Sequence, residues 1–130
     1  MSEPLSAPPL SLPQGWHTVT PRLVVHEPRA LVEFLRTVFA ARGEYSEERP
    51  AILAIGDSLL MISSVGERSA HPSFLYVYVN DTDRVYARAL AAGATSLEEP
   101  ANLPYGDRRA MVRDRWGNMW QIATPLHAGA

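Results

Sequence analysis

The densest chemical signal in the chain is the alternation Phe74-Leu75-Tyr76-Val77-Tyr78, which in an extended segment puts Phe74, Tyr76 and Tyr78 on one face. Rings carrying phenolic hydroxyls form a surface on which a planar organic molecule can stack and be oriented. The same parity in the neighbouring extended segments supplies Thr20, Arg22, Met61 and Gln121, a mixture of hydroxyl, guanidinium, thioether and amide groups. A face meeting only water would carry fewer aromatics, and a face meeting only core would not carry Arg22 and Gln121. The mixture suits a mostly apolar pocket with a few polar anchors. A plain second core or a dimer seam is the competing reading of Phe74, Tyr76 and Tyr78. Nearby, Tyr105-Gly106-Asp107-Arg108 reads as a loop, where binding residues concentrate. Tyr105 and Arg108 join the candidate set, with Arg109 as the alternative cation for gripping a carboxylate or phosphate in a forked geometry. An Asp107–arginine surface pair of little energetic weight is the bland alternative. Nothing marks a nucleophile: the chain has no cysteine and no serine–histidine–aspartate arrangement in a strand–turn–helix context.

The elements that must hold these groups are read from periodicity. Thr18–His26 is β-branched and apolar and reads as a strand, with Pro21 implying an edge or a free backbone position. Pro28–Ala41 places Leu31, Phe34, Leu35, Val38 and Phe39 on one helical face, with Pro28 in the first turn and Gly43 as the stop. Ala51–Ile55 and Ser58–Ser63 are strands around the turn pair Gly56-Asp57. The order then repeats. Phe74–Val79 is a strand, a helix capped by Asp81 or Thr82 runs through Ala92 to Gly93, Ala94–Leu97 is a short strand, and Ala110–Arg113 with Met119–Ala123 forms a hairpin around Asp114–Asn118. The halves align residue by residue: Leu23-Val24-Val25-His26-Glu27 with Val77-Tyr78-Val79-Asn80-Asp81, Gly56-Asp57 with Gly117-Asn118, and Leu59-Leu60-Met61-Ile62 with Met119-Trp120-Gln121-Ile122. The parity opposite the candidate face holds Leu23, Val25, Leu75, Val77, Leu60, Ile62, Trp120 and Ile122 and is uniformly apolar, as a sheet face must be where helices pack. Trp116 sits in a turn, either lining a pocket mouth or packing the turn.

Composition sets the outer bounds. At 130 residues with 46% hydrophobic residues the chain is one globular domain able to bury a core. A net charge of −2 argues against a surface that tracks nucleic-acid phosphates. No apolar run is long enough to span a membrane, and no secretory leader is visible, so a cytoplasmic protein is expected. Residues 1–15 carry Pro4, Pro8, Pro9 and Pro13 and read as a flexible leader.

Several of these segments resemble the vicinal-oxygen-chelate superfamily of glyoxalases, bleomycin-resistance proteins and extradiol dioxygenases. They are Thr20-Pro21-Arg22-Leu23-Val24-Val25, Ile55-Gly56-Asp57-Ser58, Tyr76-Val77-Tyr78-Val79-Asn80-Asp81-Thr82-Asp83, Arg88-Ala89-Leu90-Ala91-Ala92-Gly93-Ala94, Tyr105-Gly106-Asp107-Arg108 and Asp114-Arg115-Trp116-Gly117-Asn118-Met119-Trp120. More narrowly the chain is similar to the uncharacterised glyoxalase-like branch, over His17 to Pro125. The resemblance implies an α+β fold of two βαβββ modules, about 16–66 and 70–125, in a single domain 16–127. The modules form a curved mixed sheet around a pocket, with helices on the outer face, and a homodimer is expected.

The resemblance also implies where a metal would sit: one ligand on the first strand and one on the last strand of each module. Those positions fall on Thr20, Met61, Phe74 and Gln121. Phenylalanine cannot coordinate, a thioether is too soft for such ions, and threonine is a weak neutral oxygen. Only Gln121 matches a ligand type, so no metal and no cofactor is expected. His17 and His71 share the repeat spacing but lie an odd number of residues from the ligand positions, on the other face, and His26 and His127 stand alone.

Three functions follow. The first is a metal-free small-molecule binding protein, of sequestration or resistance type, taking an aromatic or amphipathic ligand. The second is a lyase, isomerase or dioxygenase with a non-standard site. The third is an interaction module whose pocket is closed by its own side chains.

Overall fold

The structure, a computed structural model, describes residues 11–126. Most of the expected leader, and His127, lie outside the described residues. The first half comprises β1 (Arg22–Val25), α1 (Pro28–Phe39), β2 (Ala51–Ile55) and β3 (Ser58–Ser64). The second comprises β4 (Phe74–Tyr78), α2 (Thr82–Ala91), β5 (Thr95–Asn102), β6 (Asp107–Arg113) and β7 (Met119–Pro125). The strands form two mixed sheets, ordered β1-β3-β2 and β4-β7-β6-β5. An antiparallel bridge between Val24 and His71 links them at one point. The α+β architecture and its internal repeat are thus as the sequence requires.

Strand register carries the repeat down to single residues. In the first sheet Arg22 lies opposite Met61, and Met61 opposite Ile52. In the second, Tyr76 lies opposite Gln121, and Gln121 opposite Met111. Met61 and Gln121 are positions that the sequence alignment of the two halves equates, and Arg22 and Tyr76 each lie one residue before the aligned strands.

The helices cover one face of each sheet and pack on each other. Leu31, Leu35 and Val38 of α1 are fully buried, as are Leu23, Leu53, Val112, Trp120 and Ile122 beneath the helices. The Phe39 ring lies 5.2 Å from that of Trp120, so one core joins the two halves. Burying each such side chain contributes roughly 1.5–3 kcal/mol.

The boundaries differ from expectation where backbone chemistry intervenes. β1 begins at Arg22 rather than Thr18 because Pro21 has no N–H to pair, although its carbonyl still accepts from Met61 N at 3.0 Å. Gly43 is not the stop of α1; Ala40 takes the left-handed conformation there, at φ 56°. Gly43 instead lets the chain press against β2, where a Cβ would lie 2.4 Å from the Ile52 carbonyl oxygen. In this segment the strand corresponding to β5 shrinks to a bridge between Arg42 and Ala54. In the second half β5 runs on to Asn102, with register shifts around Glu98. As an edge strand it tolerates Pro100.

The β6–β7 turn is built on one buried carboxylate. Asp114, only 3% exposed, accepts at Oδ1 from the Trp116 and Asn118 amides, both at 2.9 Å. At Oδ2 it accepts from Asn118 Nδ2 at 3.0 Å and from Trp120 Nε1 at 2.9 Å. Asn118 Oδ1 then accepts from Ser73 N at 2.9 Å, fixing the chain that enters β4. Truncating Asp114 strands four donors (the amides of Trp116 and Asn118, Asn118 Nδ2 and Trp120 Nε1), at least two of them buried, each unsatisfied buried donor worth about 1–3 kcal/mol. We therefore expect Asp114→Ala to lower the midpoint of thermal unfolding by roughly 10 °C or more, read by circular dichroism. An unchanged midpoint would mean that the turn is held otherwise.

Candidate functional site

Each sheet leaves one face without a helix. On the second sheet, register puts Phe74, Tyr76 and Tyr78 of β4 beside Met119, Gln121 and Ala123 of β7, which lie beside Arg113, Met111 and Arg109 of β6. The rings are open to solvent, Phe74 at 58%, Tyr76 at 40% and Tyr78 at 61% exposed. Polar partners organise them. Tyr76 Oη donates to Asp107 Oδ2 at 2.6 Å, and Tyr78 Oη donates to the same oxygen at 3.0 Å. The two rings, 5.4 Å apart, are thereby held at a fixed tilt. Beside them Arg109 Nη2 contacts Glu98 Oε1 at 3.3 Å, while Arg109 Nε is buried and has no hydrogen-bond partner among the described residues.

The electrostatics follow from this packing. Desolvation first, then the hydrogen bond to Asp107, pushes the Tyr76 phenol from 10.0 up to about 12, with Arg109 pulling the other way. Tyr78 moves in the same direction, chiefly through its bond to Asp107. At neutral pH both phenols are held protonated as donors.

The structure sorts the sequence candidates. Phe74, Tyr76, Tyr78 and Gln121 share the open face of the second sheet. Arg22 and Met61 belong to the open face of the first, where Arg22 Nε donates to Ser63 Oγ at 2.9 Å, and Thr20 lies in the segment before β1. Met61 is thus in one sheet, with Thr20 just ahead of its first strand, and Phe74 and Gln121 are in the other, and among the described residues the Val24–His71 bridge is the one β contact between the sheets.

Arg108 lies elsewhere. β6 starts at Asp107, so Arg108 falls on the helix-side parity and grips Asp83 through Nε at 2.7 Å and Nη2 at 3.0 Å. This bond holds the Asp83 carboxyl below its ordinary range. Arg108 Nη1 also reaches Asn102 Oδ1 at 3.0 Å. The cation on the ring-bearing face is Arg109. Tyr105 projects 74% exposed from the preceding loop and makes no hydrogen bond to the cluster. Asp107 and Arg109 lie in β6, ahead of the Ala110 start that the sequence predicts; the signal that places them is parity counted backwards from Met111 and Val112. Trp116 packs the turn, with Nε1 donating to the His26 carbonyl at 2.7 Å.

The donor set at the four metal positions is an alcohol, a thioether, a hydrocarbon ring and an amide. It does not fit a divalent ion. Among the described residues no three His, Asp or Glu side chains gather in a group that could hold one. Nor is any described helix long and apolar enough to cross a membrane.

The Tyr76–Asp107 bond has an alkaline signature. Folded Tyr76 keeps its proton to about 12, against 10.0 ordinarily. Its contribution to stability is therefore intact below pH 10 and is lost as pH rises toward 12. We expect Asp107→Asn to bring the last-titrating phenol down toward its ordinary range in an ultraviolet titration, and Tyr76→Phe to remove that step. A late step surviving in Tyr76→Phe would assign it to another tyrosine.

The family model described as Glyoxalase/Bleomycin resistance protein/Dioxygenase superfamily matches residues 11–122 of this chain. Uncharacterized proteins of Mycobacterium bovis and Mycobacterium tuberculosis are 27% identical over 126 residues, a match that covers 83% of this chain and 83% and 74% of theirs. Among solved structures, TioX from Micromonospora sp. ML1 is 27% identical, with a TM-score of 0.72 over 82% of this chain and 97% of that one. The fosfomycin resistance protein FosX from Mesorhizobium loti is 22% identical, with a TM-score of 0.66 over 87% of this chain and 95% of its own, a likeness of fold.

Proposed function

Because the chain belongs to the Glyoxalase/Bleomycin resistance protein/Dioxygenase superfamily, we propose that it uses the open face of its second sheet to bind a small aromatic or amphipathic molecule without a metal. The observation that carries this reading is the convergence of Tyr76 and Tyr78 on the one carboxylate of Asp107, beside the unpartnered Nε of Arg109. Exposed rings of a plain surface have no need of such bracing. Here two rings are fixed in position, and the guanidinium beside them keeps one buried donor, Nε, without a partner among the described residues. A ligand stacks on Phe74 and Tyr76, while its carboxylate or carbonyl accepts from Arg109 and its remaining polar edge meets Gln121. Sequestration of a metabolite or antibiotic is the use this chemistry serves. Catalysis by proton transfer is less well supported, since a phenol pushed to about 12 is a hydrogen-bond donor rather than a proton shuttle at neutral pH.

The reading includes a second copy of the chain. Ile52 of the first sheet and Phe74, Tyr76 and Tyr78 of the second are exposed on helix-free faces. A partner laying its first sheet over the second would cover them and bring Thr20, Arg22 and Met61 to the far side of the ligand. A dimer of this kind needs about 800 Å² covered on each partner.

Calorimetric titration against a panel of aromatic carboxylates and amphipathic antibiotics tests the site. Tyr76→Ala is expected to weaken binding about tenfold or more and Gln121→Ala about fivefold, with circular dichroism unchanged. Arg109→Met should erase the preference for acids over their amides. Unaltered affinity in all three would place the site elsewhere. For the assembly, Ile52→Glu is expected to shift sedimentation from dimer to monomer and to lower ligand affinity with it. A wild-type chain that sediments as a monomer at every concentration would remove the second copy from the reading.

A further inference from the structure

The internal repeat gives each half a hairpin turn that abuts the strand–helix corner of the other half. In one instance the place is filled. Trp116, in the β6–β7 turn, lies on the β1–α1 corner, with Nε1 donating to the His26 carbonyl at 2.7 Å. Its ring packs edge-on to Phe34 at 6.2 Å, and the Arg115 guanidinium covers it at 4.6 Å. The indole stands between two clefts, one of about 230 Å³ bordered by Ala30 and Phe34 and one of about 310 Å³ bordered by Val25, His26 and Glu27.

The register of the repeat equates Trp116 with Ile55, and Val25, His26 and Glu27 with Val79, Asn80 and Asp81. It likewise equates Ala30 and Phe34 with Arg84 and Arg88. These counterparts all line one undivided cleft of about 440 Å³ between the β2–β3 turn and the β4–α2 corner. Where one half has a ring, the other has a space. Where the first has Ala30 and Phe34, the second has two guanidinium groups one helical turn apart, on the same face of α2.

We propose that this cleft binds a planar aromatic carboxylate, its ring taking the place Trp116 fills in the other half and its carboxylate lying between Arg84 and Arg88. The surroundings are suited to that occupant. Phe39 and Val85 are buried apolar residues in its wall. Among the described residues no donor is bonded to the Asn80 carbonyl, the counterpart of the His26 carbonyl that takes the indole N–H. The Arg84 side chain makes no ion pair among the described residues, and Arg88 uses Nη2 on the Val38 carbonyl at 3.0 Å, leaving its other donors. Asp81, the acid in the lining, is committed as the cap of α2, accepting from Arg84 N at 3.1 Å. A ring with an N–H edge and a carboxylate satisfies the carbonyl and the cations together, so the ligand class is an indole-type acid. This cleft is separate from the Gln121–Arg109 face, and only Tyr78 borders both.

The test titrates indole-3-acetate into the full chain and follows backbone amide shifts by NMR. The expected result is saturable shifts at Ile55, Gly56 and residues 79–85, following an isotherm of their own whether or not Met111 and Gln121 also move. Ile55→Trp, which supplies the missing ring, should weaken binding tenfold or more, and Arg84→Glu about tenfold; uncharged indole should bind more weakly than its acid. Absence of saturable binding, shifts confined to Phe74 and Gln121, or full affinity in a folded Ile55→Trp chain would overturn the proposal. Should Ile55→Trp not fold, the exposed Arg84→Glu decides alone, and unchanged affinity there overturns it.

Discussion

A single buried carboxylate sets the geometry on which the rest of this chain depends. Asp114 gathers four N–H groups in a five-residue turn and so fixes which residue of β6 faces which residue of β7. Side chains alternate along a strand, so a slip of one residue on either side of that turn would exchange the two faces. Trp120 would leave the core and Gln121 would enter it; Arg109 would turn toward the helices and Arg108 toward the rings. The ring-bearing face exists because Asp107, Arg109 and Met111 share a parity with Gln121, and that parity is a consequence of the turn. The carboxylate is tolerable where it lies because its lone pairs are all in use.

What the sequence made legible is the apolar half of this logic. Leu23, Val25, Leu60, Ile62, Trp120 and Ile122 alternate with other residues at period two, and the register of both sheets follows from them. Phe74, Tyr76 and Tyr78 were readable as one face for the same reason. The start of β6 was not, because Asp107-Arg108-Arg109 has no apolar alternation, and a polar stretch reads as a loop even where, as here, it pairs with strands on both sides. That is why the sequence leaves Arg108 and Arg109 as alternatives for the ligand-facing cation. The bracing of Tyr76 and Tyr78 by Asp107 was equally out of reach, since the partners lie 31 and 29 residues apart and nothing local requires them to meet. Gly43 misled in another way. A glycine after a helix reads as its stop, yet its use here is the close approach of two backbones, which only the tertiary structure reveals.

The repeat also explains how the two halves could keep one fold while their helix-free faces went separate ways. The helix-covered positions answer to packing: Leu23 and Val77, Ile62 and Ile122, Leu60 and Trp120 are all apolar, because helices must close on them. The helix-free positions answer to no such demand. There Arg22 corresponds to Tyr76, and Met61 to Gln121, with no common chemistry between the members of each pair. Changing a side chain on such a face removes little that holds the sheet together. Thr20, Met61 and Phe74 can therefore stand at these positions without disturbing the core beneath them. The same freedom lets β4 carry three rings at once. On an edge strand that is a liability unless something covers or binds them. Asp107 limits the hazard by holding two of the three in place through hydrogen bonds to one carboxylate oxygen.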